Sequence, residues 1–160
     1  MTVHFTGSEL VEIAVQMERN GLQFYASAAD TVANVKAKDL LHRLANDEVR
    51  HLKLFEGMLT SPGLVNMHES YPGEYAKYLQ AHVDGQVFTE ARMKQLLAQK
   101  ALSERDALRF GMDSEKDAIL YYTEMLRFVQ ASNEKTVQNI IEEEKKHLAG
   151  LVEMMKELGT

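Results

Sequence analysis

The chain has no cysteine and no tryptophan. Without thiols it forms no disulfide, no thiolate zinc site, no iron–sulfur or rubredoxin-type iron centre, and it has no cysteine nucleophile. Any tightly held metal must sit on carboxylates and imidazoles. Prolines number only two and glycines nine among 160 residues, so long uninterrupted helices are allowed. No long apolar run exists either. The longest stretches without a charged, amide, serine or threonine residue are Ala118–Tyr122 and Leu148–Val152, five residues each. A membrane span needs about 20, so no membrane association is expected. Basic residues are the minority, 18 against 24 acidic, for a net charge of −6. Phosphate neutralisation needs clustered lysine and arginine, so nucleic acid is not an expected partner. The start, MTVHFTGSEL, lacks the basic-then-apolar order of a secretory signal, and the expected location is the cytoplasm.

What remains is 45% apolar, arranged with helical periodicity. One domain of this length buries roughly 70% of its unfolded surface without staples. The first stretch opens with Thr6-Gly7-Ser8-Glu9, the pattern of a capping box. Val11, Ala14, Val15, Leu22, Tyr25 and Ala29 follow in phase. The second carries Leu41, Leu44, Ala45, Leu52, Phe55 and Leu59 and stops at Ser61-Pro62-Gly63. The third carries Leu108, Met112, Ile119, Tyr122 and Leu126. The fourth carries Val137, Ile140, Ile141, Leu148 and Leu151 and stops at Gly159. The expected helices are about 8–33, 35–60, 103–131 and 133–158, with a break at Ser132-Asn133. Short links make each neighbouring pair an antiparallel hairpin. The segment of about 61–102 contains Pro72, Gly73 and Gly85 and two short helical patterns, near Glu74–His82 and Thr89–Gln99. The expectation for residues 1–160 is therefore a single all-α domain: an antiparallel four-helix bundle of the ferritin-like form, two hairpins joined by one long crossover.

Every apolar stripe is interrupted near mid-helix by the same residue types. The interruptions are Glu18 in the first helix, Glu48 and His51 in the second, Glu115 in the third, and Glu144 and His147 in the fourth. A carboxylate on an inward face is costly unless it is paired or ligates a metal. The interruptions also repeat. From Glu18 to Tyr25, Glu48 and His51 the steps are 7, 23 and 3; from Glu115 to Tyr122, Glu144 and His147 they are 7, 22 and 3. An approximate two-fold axis relating the hairpins would gather all six in one layer.

At i and i+3 a helix sets Glu and His on one face. Four carboxylates balance two divalent cations, and each imidazole completes one coordination sphere. Oxygen and nitrogen donors without sulfur suit iron or manganese, and zinc can substitute. A lone Glu-x-x-His is common on helix surfaces and means little. The doubled, registered pattern points to a dimetal site held by Glu18, Glu48, His51, Glu115, Glu144 and His147. Tyr25 and Tyr122 read as hydroxyl donors to ligand carboxylates, and Asp47 and Glu143 as residues that orient histidines of the facing helix. His4, His42, His68 and His82 fall outside the pattern. Removing the charge of Glu144 is expected to leave the empty bundle no less stable, because four nearby carboxylates repel.

These segments resemble the rubrerythrin-type diiron proteins of the ferritin-like superfamily. The matching text is MERNGLQFYASAA, LANDEVRHLKLFEGML, SEKDAILYYTEML and IIEEEKKHLAGL, from both hairpins. The resemblance implies a non-haem diiron oxidoreductase that reduces peroxide or oxidises ferrous iron with O₂, using two iron ions. Glu48 and Glu144 would bridge, His51 and His147 would bind one ion each, and Glu18 and Glu115 would cap the ends. Rubrerythrins also carry a four-cysteine rubredoxin domain and a seventh carboxylate one turn after the third-helix ligand. Here that position is Ala118, so the ligand set is six and the redox-driven iron movement of the family is not implied. An external redox protein must supply electrons, and a homodimer is expected. Three other functions fit the same residues: iron binding or storage without a peroxidase cycle, a dimanganese catalase-like protein, and a metal-free interaction protein.

Overall fold

The computed structural model describes residues 7–60, 74–85, 89–98 and 102–159. All regular structure among them is helical: α1 (Gly7–Thr31), α2 (Val35–Leu59), α3 (Glu74–Gly85), α4 (Glu90–Leu97), α5 (Glu104–Met125) and α6 (Ala131–Glu157). Thr6 of the expected capping box and the Ser61-Pro62-Gly63 stop lie outside the described residues. Helix starts follow local side-chain chemistry. Asn34 accepts from the Ala37 amide, Thr89 from Arg92 and Ser103 from Asp106, each filling one of the donors a helix start leaves unpaired. Gly159, at φ 84°, takes the left-handed position just after α6.

The break between the last two long helices differs from the expectation. α5 ends at Met125, and the chain turns through 126–130. There the amides of Arg127 and Phe128 bond back three residues, to Glu124 and Met125. Ser132 and Asn133 belong to the first turn of α6. The polar pair marks a helix start, where its side chains face no packed turn, rather than a gap.

α1 packs along α2, and α5 along α6; α6 also meets α2, α5 meets α1, and α4 lies on α1. The four long helices thus close a bundle. One tie between its hairpins is polar: the Glu104 carboxylate at the start of α5 accepts the Ala33 and Asn34 amides of the α1–α2 turn, at 3.0 and 2.5 Å.

The core is two apolar clusters with a polar layer between them. One holds Phe24, Tyr25, Ala28, Leu41, Leu108 and Leu151. The other holds Leu10, Ala14, Phe55, Tyr121, Tyr122 and Ile140. The first uses residues 24–29 of α1 and Val32 just beyond it, 37–45 of α2 and 151–154 of α6; the second uses 10–17, 55–58 and 137–141. Positions 18, 48, 51, 144 and 147 fall between them along the same helices. The short crossover helices seal the core with the buried Leu79 and Met93, backed by the partly buried Val83 and Leu96. Two glycines allow close approach beside the polar layer. A Cβ on Gly21 would stand 3.2 Å from Cδ of Glu48, and one on Gly111 would stand 3.2 Å from Leu151 and from the Tyr25 ring.

Leu148 lies on the flank of the α6 stripe and is only partly covered, whereas Leu151 is fully buried. Leu151→Ala is therefore the substitution that tests the apolar core. It should cost about 2–5 kcal/mol in urea unfolding, through lost transfer energy and a residual cavity. Metal binding should survive it.

Candidate metal centre

The structure brings all six inward polar residues together. Glu18, Glu48, His51, Glu115, Glu144 and His147 are each at least nine-tenths buried. Their donor atoms form two overlapping groups, Glu18, Glu48, His51 and Glu144 in one, and Glu48, Glu115, Glu144 and His147 in the other. Within each group one donor atom per residue lies within 4.8 Å of the rest. Glu48 and Glu144 belong to both groups; the other four belong to one each. The imidazole rings stack side by side with centroids 5.7 Å apart.

The pairing explains which groups hold protons. Glu144 sits between the two histidines, 3.0 Å from Nδ1 of His51 and 2.7 Å from Nδ1 of His147. Burial alone would raise its pKa, but the two imidazoles pull it down to about 2. Burial likewise opposes charge on His51, yet pairing with Glu144 and Glu18 lifts it to about 11. His147, facing Glu115 and Glu144 against the same burial cost, rises to about 10. Glu115 is pushed up to about 8 by burial and the Glu144 charge. Glu48 rises well above the carboxylate range through burial and the charges of Glu18 and Glu144. The metal-free layer thus favours protons on His51, His147 and Glu115 at neutral pH, and Glu48 is shifted in the same direction.

Each tyrosine reaches across to the other hairpin. Tyr25 of α1 donates to Oε1 of Glu115 on α5 at 2.5 Å, and Tyr122 of α5 donates to Oε1 of Glu18 on α1 at 2.6 Å. Burial first, and then the neighbouring carboxylates, raise both phenols well above their ordinary value. Both remain donors at any working pH, and each fixes one oxygen of a carboxylate; on Glu18 the other oxygen is left facing His51. The tyrosines enter from opposite sides, Tyr25 from one apolar cluster and Tyr122 from the other.

The outer edges of the histidines are also held from the facing helix. Nε2 of His51 lies 2.7 Å from Glu143 on α6, and Nε2 of His147 lies 3.2 Å from Asp47 on α2. An ionised carboxylate only accepts, so Nε2 carries the proton and Nδ1 is left facing the carboxylate layer. Sequence reasoning missed Arg50. Its guanidinium donates to both outer carboxylates, at 2.5 Å to Asp47 and 2.7 Å to Glu143. The residue is half exposed and reads in sequence as part of a solvated face. Its spacing of three from Asp47 was the available signal.

Whether these residues suit metal ions can be judged from the buried atoms left without hydrogen bonds. Glu18 Oε2, Glu144 Oε2, His51 Nδ1 and His147 Nδ1 are all such atoms, meeting their neighbours only as ion pairs. A buried polar atom without a hydrogen bond costs about 1–3 kcal/mol. Two carboxylate oxygens and two imidazole nitrogens aimed into one layer form a donor set for divalent cations. Beside it lies a cavity of about 20 Å³ lined by the four glutamates, Gly21 and Ala118 among others, but by neither histidine. That is room for about one water-sized molecule. No described helix is long and apolar enough to cross a membrane.

Comparison with known proteins agrees with this geometry. The family profile described as Rubrerythrin matches residues 5–59, which span α1 and α2. No curated protein matches the chain. A solved structure from Thermotoga maritima, described as that of a candidate ferritin-like diiron-carboxylate protein, is similar over 96% of this chain and 97% of that one, with 27% identity and a TM-score of 0.77. The chain therefore has a ferritin-like fold, is similar to rubrerythrins over α1 and α2, and carries a buried carboxylate–histidine layer that could hold a pair of metal ions.

Proposed function

We propose that this protein is a non-haem diiron oxidoreductase that reduces peroxide, or oxidises ferrous iron with O₂, at the Glu18, Glu48, His51, Glu115, Glu144 and His147 layer. The observation that carries the reading is the overlap of the two donor groups at Glu48 and Glu144. Two carboxylates common to both groups would hold two ions as a pair rather than as separate sites. His51 and Glu18 would serve one ion, and His147 and Glu115 the other. Iron bound there supplies two one-electron steps to an oxygen–oxygen bond.

The chain's own residues set the conditions for that chemistry. The tyrosine hydroxyls and outer carboxylates hold ligand oxygens and imidazole rings in place before any ion arrives. The apolar clusters on either side exclude bulk water, which strengthens every charge interaction inside. The small cavity against Gly21 and Ala118 lies on the carboxylate side of the layer, where a small oxidant would approach. The chain has no thiolates for an electron-relay centre, so a separate redox partner returns electrons.

The test is anaerobic loading with ferrous iron followed by one equivalent of hydrogen peroxide or of O₂. Stopped-flow absorption should show rapid oxidation of about two irons per chain, faster with peroxide if the peroxidase reading is right. Turnover should follow on adding an electron-donor protein and its reductase. Absence of any spectral change with either oxidant would overturn the proposal, and retention of many irons per chain in a large cage would favour storage instead.

A further inference from the structure

Resting on the dimetal reading, we propose that Arg50 is a positioning residue that locks both site histidines through one clamp, so that the two metal positions are held as a single unit. Two nitrogens of one guanidinium reach the two carboxylates that hold the histidines, Asp47 at 2.5 Å and Glu143 at 2.7 Å. Asp47 holds His147 by its second oxygen, and Glu143 holds His51 by the same oxygen that meets Arg50. The chain of contacts therefore runs unbroken from His51 through Glu143, Arg50 and Asp47 to His147. Each carboxylate acts on the histidine of the opposite helix, so the clamp also ties α2 to α6 across the bundle.

The physical need for it is clear from the geometry. Without Arg50, two partly exposed carboxylates would face each other across the helix seam with no cation between them. Repulsion would turn at least one away and free an imidazole to rotate. Arginine suits the place because its planar fork can satisfy two carboxylates in fixed directions, which a lysine ammonium cannot do. The internal repeat is broken at this point. The position matching Arg50, two residues after Glu144, is Lys146, and it is exposed. One arginine thus serves both halves of a site whose other parts are doubled.

The experiment uses the full chain with cobalt(II) alone as probe, followed by visible absorption and titration calorimetry. Wild type should bind two ions. Arg50→Gln should weaken both positions, by about 10–100-fold, the usual effect of losing the group that holds a ligand. Arg50→Lys should behave like Arg50→Gln, and Lys146→Gln like wild type. Because Arg50 lies at the surface, apo melting should barely change. Weakening at only one position, unchanged affinity, or full rescue by lysine would each overturn the clamp. A second readout needs no metal. In nitrogen-15 spectra of the apo protein, the Nε2 protons of His51 and His147 should both lose protection from exchange in Arg50→Gln. If wild type bound no cobalt, the dimetal reading would fall, and this second readout would still decide whether Arg50 holds both rings.

Discussion

Replacing Glu144 by glutamine is expected to abolish paired metal binding and also to destabilise the metal-free protein by about 1–3 kcal/mol, the cost of buried partners left unmatched. This reverses the expectation from sequence, in which all four carboxylates only repel. The structure shows that one of them is different. Glu144 is paired with both imidazoles, at 3.0 and 2.7 Å, and its pKa is held down to about 2 against the cost of burial. The repelled carboxylate is Glu48, raised by burial and by its neighbours Glu18 and Glu144. Glu48→Gln should therefore cost metal affinity as severely but leave the apo protein as stable as wild type or more so. Glutamine keeps the volume in both cases, which matters because Gly21 leaves Glu48 little room to move. Urea unfolding in the presence of a chelator, with metal analysis of the same variants, separates the effects. Equal apo stability for Glu144→Gln and wild type would show that the imidazoles do not depend on Glu144 for their charge.

The contrast shows what sequence can and cannot carry. The matched steps from Glu18 to His51 and from Glu115 to His147 follow from helical geometry, so the common layer was legible in the sequence alone. The roles of Tyr25 and Tyr122 as donors were legible in kind. Their direction was not: each serves the carboxylate of the other hairpin, and which hairpin faces which is a tertiary fact. Asp47 and Glu143 could be named because they directly precede Glu48 and Glu144. Arg50 could not, since an arginine on a helix surface pairs with solvent or with any of several carboxylates until the facing helix is in place. The end of α5 was misplaced for a local reason. Ser132 and Asn133 resemble a stop, yet residues that compete for backbone hydrogen bonds are equally at home in a first turn. Relative charge states within the layer lay furthest from the sequence, because distances of 2.7 and 3.0 Å to Glu144 decide them.

Metal-free and metal-loaded protein are expected to respond to pH with opposite signs. In the apo form His51 and His147 are raised to about 11 and about 10, above an unfolded value near 6.5. Groups raised in this way contribute stability that is fully present below about pH 6.5 and is lost as pH climbs through the folded values. Glu115, raised to about 8, acts in the same direction. The folded state keeps a proton there that the unfolded chain has already released above about pH 4.5, so stability falls from there up to pH 8. Glu144, lowered to about 2, works oppositely, but its contribution is lost only as pH falls toward 2. Apo stability should therefore decline steadily between about pH 6 and 9, by up to ~1.4 kcal/mol per pH unit for each extra proton the folded state holds. Metal binding needs these groups deprotonated, so it must expel their protons, and its apparent affinity rises with pH over the same range. A melting temperature measured with excess manganese or zinc should therefore rise from pH 6 to 8 while that measured with chelator falls. Calorimetric titrations in buffers of different ionisation enthalpy would count the protons released at pH 7, with more than one per ion pair expected. A chelated protein that grew more stable from pH 6 to 9 would show that the histidines are not held as cations, and a binding reaction that released no protons would show that the layer is already deprotonated before metal arrives.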